Sequence, residues 1–109
     1  PKDVPTAVRT LLLATKRLQD TLRLWAAGQA SETAVSDVYV QIGNDFNATV
    51  NAFAEHGVDL SEIYSVPADL RLVLENCLGE EPSPEVLDTY MPDIRRILYA
   101  LLEGIQRKQ

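Results

Sequence analysis

The chain is poor in the residues from which chemistry is built. Of its 109 residues, one is cysteine, one histidine, one methionine and one tryptophan. A lone thiol, Cys77, cannot close an internal disulfide, which points to a reducing, intracellular compartment. A lone imidazole, His56, cannot make a metal site by itself. No Cys/His ligand spacing, calcium-binding loop, phosphate-cradling glycine loop or zincin signature occurs. No metal and no cofactor is therefore expected. No apolar run approaches the roughly 20 residues that cross a bilayer, so no transmembrane segment is expected. Positive charge is also scarce, 10 Lys and Arg against 16 Asp and Glu, a net of −6. Such a chain is repelled by a phosphate backbone, which makes nucleic acid a poor partner. The chain lacks a charged-then-apolar leader and opens on Pro, as expected of a fragment excised from a longer protein.

What is present suits one helical domain. The length is one domain's worth, residues 1–109, and 46% hydrophobic residues are enough for a core. Val8, Leu11, Leu12, Thr15, Leu18, Leu22 and Trp25 recur at spacings of three and four, predicting a helix over 5–27 that Gly28 stops. Ser31 is the expected N-cap of a second helix, with the stripe Val35, Val38, Tyr39, Ile42, Phe46, Val50 and Phe53 ending at His56-Gly57. Gly43, in mid-helix, predicts close approach by a neighbouring backbone. Residues 58–64 read as a loop with at most one short turn, because Asp59 and Ser61 favour local bonds. A third helix is expected from about Pro67 to Gly79, carrying Leu70, Val73, Leu74, Cys77 and Leu78. A Pro-bounded linker follows, and Ser83 and Pro84 open a fourth helix whose stripe extends from Val86 to Ile105. Pro92 interrupts that helix without shifting its stripe, predicting a kinked helix or a short one abutting a long one. No segment alternates with period two. The class is all-α, a compact bundle of about four helices.

Catalysis needs convergent groups, and none is legible. His56 sits where it can cap the end of the second helix. Cys77 falls on an apolar stripe and reads as a small buried hydrophobe. A Cys–His pair has no third group to orient it. Glu80 and Glu81 lie in a linker and are expected to be solvated. The triplet Asn47-Ala48-Thr49 matches a glycosylation acceptor, but it falls inside a helix and is read as chance. The chain is not expected to be an enzyme.

The informative residues are those that break the helical pattern. On the first helix Leu13 and Leu24 fall opposite the main stripe, nearly in line with Arg17 between them. Single exposed leucines are ordinary, yet an aligned pair flanking an arginine also suits a partner or self-association surface. On the second helix Val40, Asn44, Asn47 and Asn51 form an outward face without charge. Those amides either satisfy a buried contact with another helix, the first expectation, or receive a partner's backbone groups. Tyr99 lies off the fourth stripe beside Arg95, and both residue types are frequent at binding hot spots.

Charge is unevenly spread. Residues 1–28 hold Lys2, Arg9, Lys16, Arg17 and Arg23 against Asp3 and Asp20. Residues 29–104 hold Arg71, Arg95 and Arg96 against fourteen acids, and Arg107 and Lys108 follow. The simplest reading is complementary packing of a basic first helix on acidic neighbours. The five bases are spread around that helix rather than gathered on one face, which argues against membrane contact.

A family resemblance adds to this reading. It is carried by Trp25-Ala-Ala-Gly28-Gln29-Ala30-Ser31-Glu32, by Val35-Ser36-Asp37-Val38-Tyr39-Val40, and by Gly43 with Phe46-Asn47. Gly57-Val58-Asp59, Val66-Pro67 with Leu70-Arg71, Tyr90-Met91-Pro92 with Ile94-Arg95, and Lys108-Gln109 continue it. Together these resemble the N-terminal domain of the fungal actin-interacting and bud-site-selection proteins of the polarisome, over residues 6–109. The resemblance implies a scaffold at cortical sites of polarised growth and division that promotes formin-driven actin assembly. It also implies that the formin- and actin-binding activities belong to another, C-terminal region. This domain would then be a cytoplasmic localisation and protein-interaction module for other polarity or cortical cytoskeletal proteins. Alternatively, with the Leu13–Arg17–Leu24 line pairing across a two-fold axis, it would be a homodimerisation module of the same scaffold.

Overall fold

The starts of the three long helices are set by side chains that catch backbone N–H groups left without a helical partner. The computed structural model describes residues 3–109; Lys2, one of the bases counted above, lies outside them. The Asp3 carboxylate accepts from the Thr6 amide at 3.3 Å and opens α1, Val4–Ala26. Ser31 Oγ accepts from the Ala34 amide at 3.0 Å and opens α2, Glu32–Glu55. Ser83 Oγ accepts from the Val86 amide at 3.1 Å and opens α4, Pro84–Lys108. Between them α3 spans Val66–Leu78, and a single 3-10 turn, Ser61–Ile63, fills the connection after α2. Gly28 and Gly57 follow α1 and α2 at φ 76° and 72°, a left-handed backbone that side-chain-bearing residues rarely adopt. The expected helices are all present, and the ends expected for the first three lie within a residue or two of those observed.

Successive helices run antiparallel as a bundle of 44 × 22 × 16 Å. α1 packs on α2 and α4, and α3 packs on α4 and α2. The core is a single cluster drawn from all four stripes. Leu11, Leu18, Leu22 and Trp25 meet Val35, Ile42 and Phe53, with Leu70 and Cys77 from α3 and Ile94, Leu101 and Ile105 from α4. Leu60 and Ile63 of the connection belong to it as well. Apolar stripes of this width have no other way to leave water.

Two backbone features bear on the predictions. α4 is one helix from Pro84 to Lys108 with Pro92 inside it, so the single-helix alternative is the one adopted. Pro92 has no N–H for the Asp88 carbonyl, and both residues are exposed, so water can take the vacant acceptor. Gly43 is not a point of close approach: a Cβ there would meet open space. That role falls to Gly104, where a Cβ would collide with Ile63 Cγ2. The connection could not seat Ile63 in the core beside any larger residue.

Candidate functional site

The chemistry-bearing residues are kept apart. His56 is the exposed C-cap residue of α2, its own amide bonded back to Phe53 and Ala54 carbonyls. It lies at the bundle end formed by Val4, Phe53, Val58 and Lys108. Cys77 is fully buried in the last turn of α3, and burial pushes its thiol up to about 11, with the nearby Glu80 charge adding to the rise. α3 starts beside Tyr39, about 25 Å along α2 from His56, and runs from there toward the far end of the bundle, where Leu74 and Leu78 lie against Val35 and Glu32. No Cys–His pair is formed. Among the described residues, no group of three or more His, Cys, Asp and Glu side chains is placed to hold a metal ion. No helix of the described residues is long and apolar enough to cross a membrane.

Local polar contacts serve the fold. The Tyr39 hydroxyl donates to the Pro67 carbonyl at 2.7 Å and ties α2 to the start of α3. Burial pushes the Tyr39 phenol above its ordinary value. Asp59 accepts from the amide and hydroxyl of Ser61, bonds that hold its carboxyl below the usual range and shape the 3-10 turn. Glu80 is not merely solvated, because it accepts a hydrogen bond from the Tyr90 hydroxyl, and that bond raises the phenol. Thr49, the third residue of the glycosylation triplet, is buried and donates to the Asp45 carbonyl at 2.8 Å and the Ala7 carbonyl at 3.3 Å. Asp45 beside it is buried too; Oδ1 accepts from Gln41 Nε2, and Oδ2 has no hydrogen-bond partner among the described residues.

The outer faces are more informative. Leu13 and Leu24 are 58% and 46% exposed, with Arg17 exposed between them. Val40 is 58% exposed, and Asn44, Asn47 and Asn51 are exposed with it. Among the described residues these three amides make no side-chain hydrogen bond, which overturns the expectation that they satisfy an internal contact. The reason is their position: all four point away from the arc that carries Val35, Ile42 and Phe53. Arg95 and Tyr99 are exposed along α4, where with Pro92 and Arg96 they line a shallow open depression. These three sets lie on three different helices, so the sequence candidates form separate faces and not one site.

The basic helix also departs from expectation. Arg23 pairs with Asp20 of its own helix at 3.1 Å. Among the described residues no ion pair joins α1 to a neighbouring helix, and Arg9, Lys16 and Arg17 make none within 4 Å. Arg9 acts only at longer range, on Asp3 of its own N-cap. Three bases are not scattered, since Arg9, Lys16 and Arg23 recur every seven residues and stay in one line. Arg23 then meets Arg95 of α4 across a groove of about 280 Å³ floored by Ala26, Leu87 and Met91. A second groove, about 160 Å³, lies between α2 and α3 and is lined by Val35, Ser36, Tyr39, Arg71 and Leu74.

Sequence reasoning passed over Leu72 and Tyr64, 63% and 53% exposed. Leu72 sits among the stripe residues Leu70, Val73 and Leu74 of α3, so the signal that could have singled it out was its phase, not its hydrophobicity.

A family model described as "Aip3p/Bud6 N-terminal domain" matches residues 5–109. No curated protein and no solved structure matches the chain.

Proposed function

The chain belongs to the Aip3p/Bud6 N-terminal domain family, and from that membership we propose that it is a non-catalytic docking module of a cell-polarity scaffold. In this reading the domain binds another cortical or polarity protein in the cytoplasm. It so brings its parent to sites of polarised growth and division, while other regions of the parent promote formin-driven actin assembly. The observation that carries the proposal is the outer face of α2. Val40, Asn44, Asn47 and Asn51 are exposed, uncharged and unused by the fold. A helix face kept only for solvation more often carries Glu and Lys. Amides around one apolar residue can instead bond a partner's backbone while Val40 supplies contact area. The separation of Cys77 from His56 supports a binding role over a catalytic one.

The test is the distribution of the 109-residue chain, fused to a fluorescent protein, in growing fungal cells. Enrichment at the growing tip or division site is expected. Val40→Arg with Asn47→Arg should make the signal diffuse while the helical CD spectrum stays unchanged. A wild-type chain that is itself diffuse overturns the proposal, and an enriched double variant overturns the assignment to this face.

A further inference from the structure

The outer line of α1 is complementary to itself. Leu13, Arg17, Asp20 and Leu24 fall within an arc of about 60° at 100° per residue, on the side of α1 turned from the core. Arg17 stands four residues inside Leu13, and Asp20 stands four residues inside Leu24. The two leucines and the two charges therefore share one midpoint. When a second α1 is laid antiparallel over that midpoint, each Leu13 faces the partner's Leu24 and each Arg17 faces the partner's Asp20. Two leucines alone would match in this way on any helix. That the charges between them also match, with opposite sign, is what distinguishes a two-fold contact from an accidental apolar pair.

Among the described residues only Arg23 competes for these groups, through Asp20. Arg17 has no acidic partner among the described residues. Asp20 holds Arg23 at 3.1 Å, a pair about half exposed on each side, and its carboxylate can accept a second guanidinium. No like charges are brought face to face: Lys16 lies opposite the partner's Thr21, and Arg9 opposite the partner's Gly28. We propose that this line is a homodimer contact in which two copies of the chain pair through antiparallel α1 helices.

The contact is modest in size. A single helix-to-helix seam falls short of the roughly 800 Å² per partner of a standard interface. The pair is therefore weak and concentration-dependent, and it gains strength where parent chains are crowded together. Two copies so joined present two outer faces of α2 at once. The contact uses a different helix from the proposed docking face and does not depend on docking.

Light scattering of the chain between about 10 µM and 1 mM tests the proposal. The mass should rise from 12.1 kDa toward twice that value. Leu13→Asp with Leu24→Asp should hold it at 12.1 kDa with an unchanged CD spectrum. Arg17→Asp alone and Asp20→Arg alone should each weaken association about tenfold, and the two reversals together should restore it. A wild-type chain that stays monomeric at 1 mM overturns the dimer. Single reversals without effect, or a double reversal no better than either one, overturn this register. Cellular enrichment by a variant that cannot dimerise leaves the docking proposal standing, so the two fail separately.

Discussion

Ile63 Cγ2 occupies the space where a Cβ on residue 104 would stand, so one glycine of α4 sets how closely the connection before α3 can approach it. Gly104→Ala gains about 1 kcal/mol of helix propensity. It also forces Ile63 out of place, an overpacking cost of about 1–3 kcal/mol. Net destabilisation is expected by urea or thermal unfolding. Ile63→Ala in the same background should relieve the clash, leaving a double variant less destabilised than the two single costs combined.

Gly43→Ala should behave in the opposite way. Its Cβ meets nothing within 4 Å, so only propensity changes. A gain of about 1 kcal/mol is expected from the same unfolding measurement.

Tyr39→Phe removes the hydroxyl that donates to the Pro67 carbonyl at 2.7 Å. A loss of about 1 kcal/mol is expected, with little change in helical content. Because the bond ties α2 to the first turn of α3, amide exchange in residues 66–70 should accelerate more than in α1.

Cys77 should resist modification. With the thiol pushed up to about 11, its thiolate fraction at pH 8 falls roughly hundredfold below that of an ordinary thiol. A thiol reagent should label the native chain far more slowly than the urea-unfolded chain. The linkage has a definite sign, since unfolding exposes a thiol that ionises near pH 8.5. Its contribution to stability is complete below that pH and declines as pH rises toward 11. Cys77→Ala should flatten that part of the pH profile.

Ser31→Ala and Ser83→Ala each remove a side-chain oxygen that accepts from a first-turn amide, at 3.0 and 3.1 Å. Each should cost about 1 kcal/mol by denaturant midpoint. The two sites lie in different connections, and their effects should add.

Four helix positions were legible because period, cap and stop are local properties of consecutive residues. Val8 to Trp25 repeats every three to four residues whatever it packs against, and Ser31 caps whichever helix follows it. The exposure of Leu13, Leu24, Val40 and Tyr99 was legible for the same reason, since phase against a stripe is a one-helix quantity. The internal role expected for Asn44, Asn47 and Asn51 failed because phase alone does not say whether a neighbouring helix covers the outer side. Gly43 and Gly104 show the same limit. Each interrupts a helix equally in sequence, but only Gly104 lies under Ile63, which is 41 positions away along the chain.

The sequence by itself determined the class, the helix starts and the apolar stripes that make the core. It also carried the family resemblance, because that rests on the order of residues. Only the tertiary structure decided which outward faces stay bare, which bases have no partner, and which glycine admits a neighbour. Those are relations between helices, set by packing angle and approach, and no periodicity within one helix contains them.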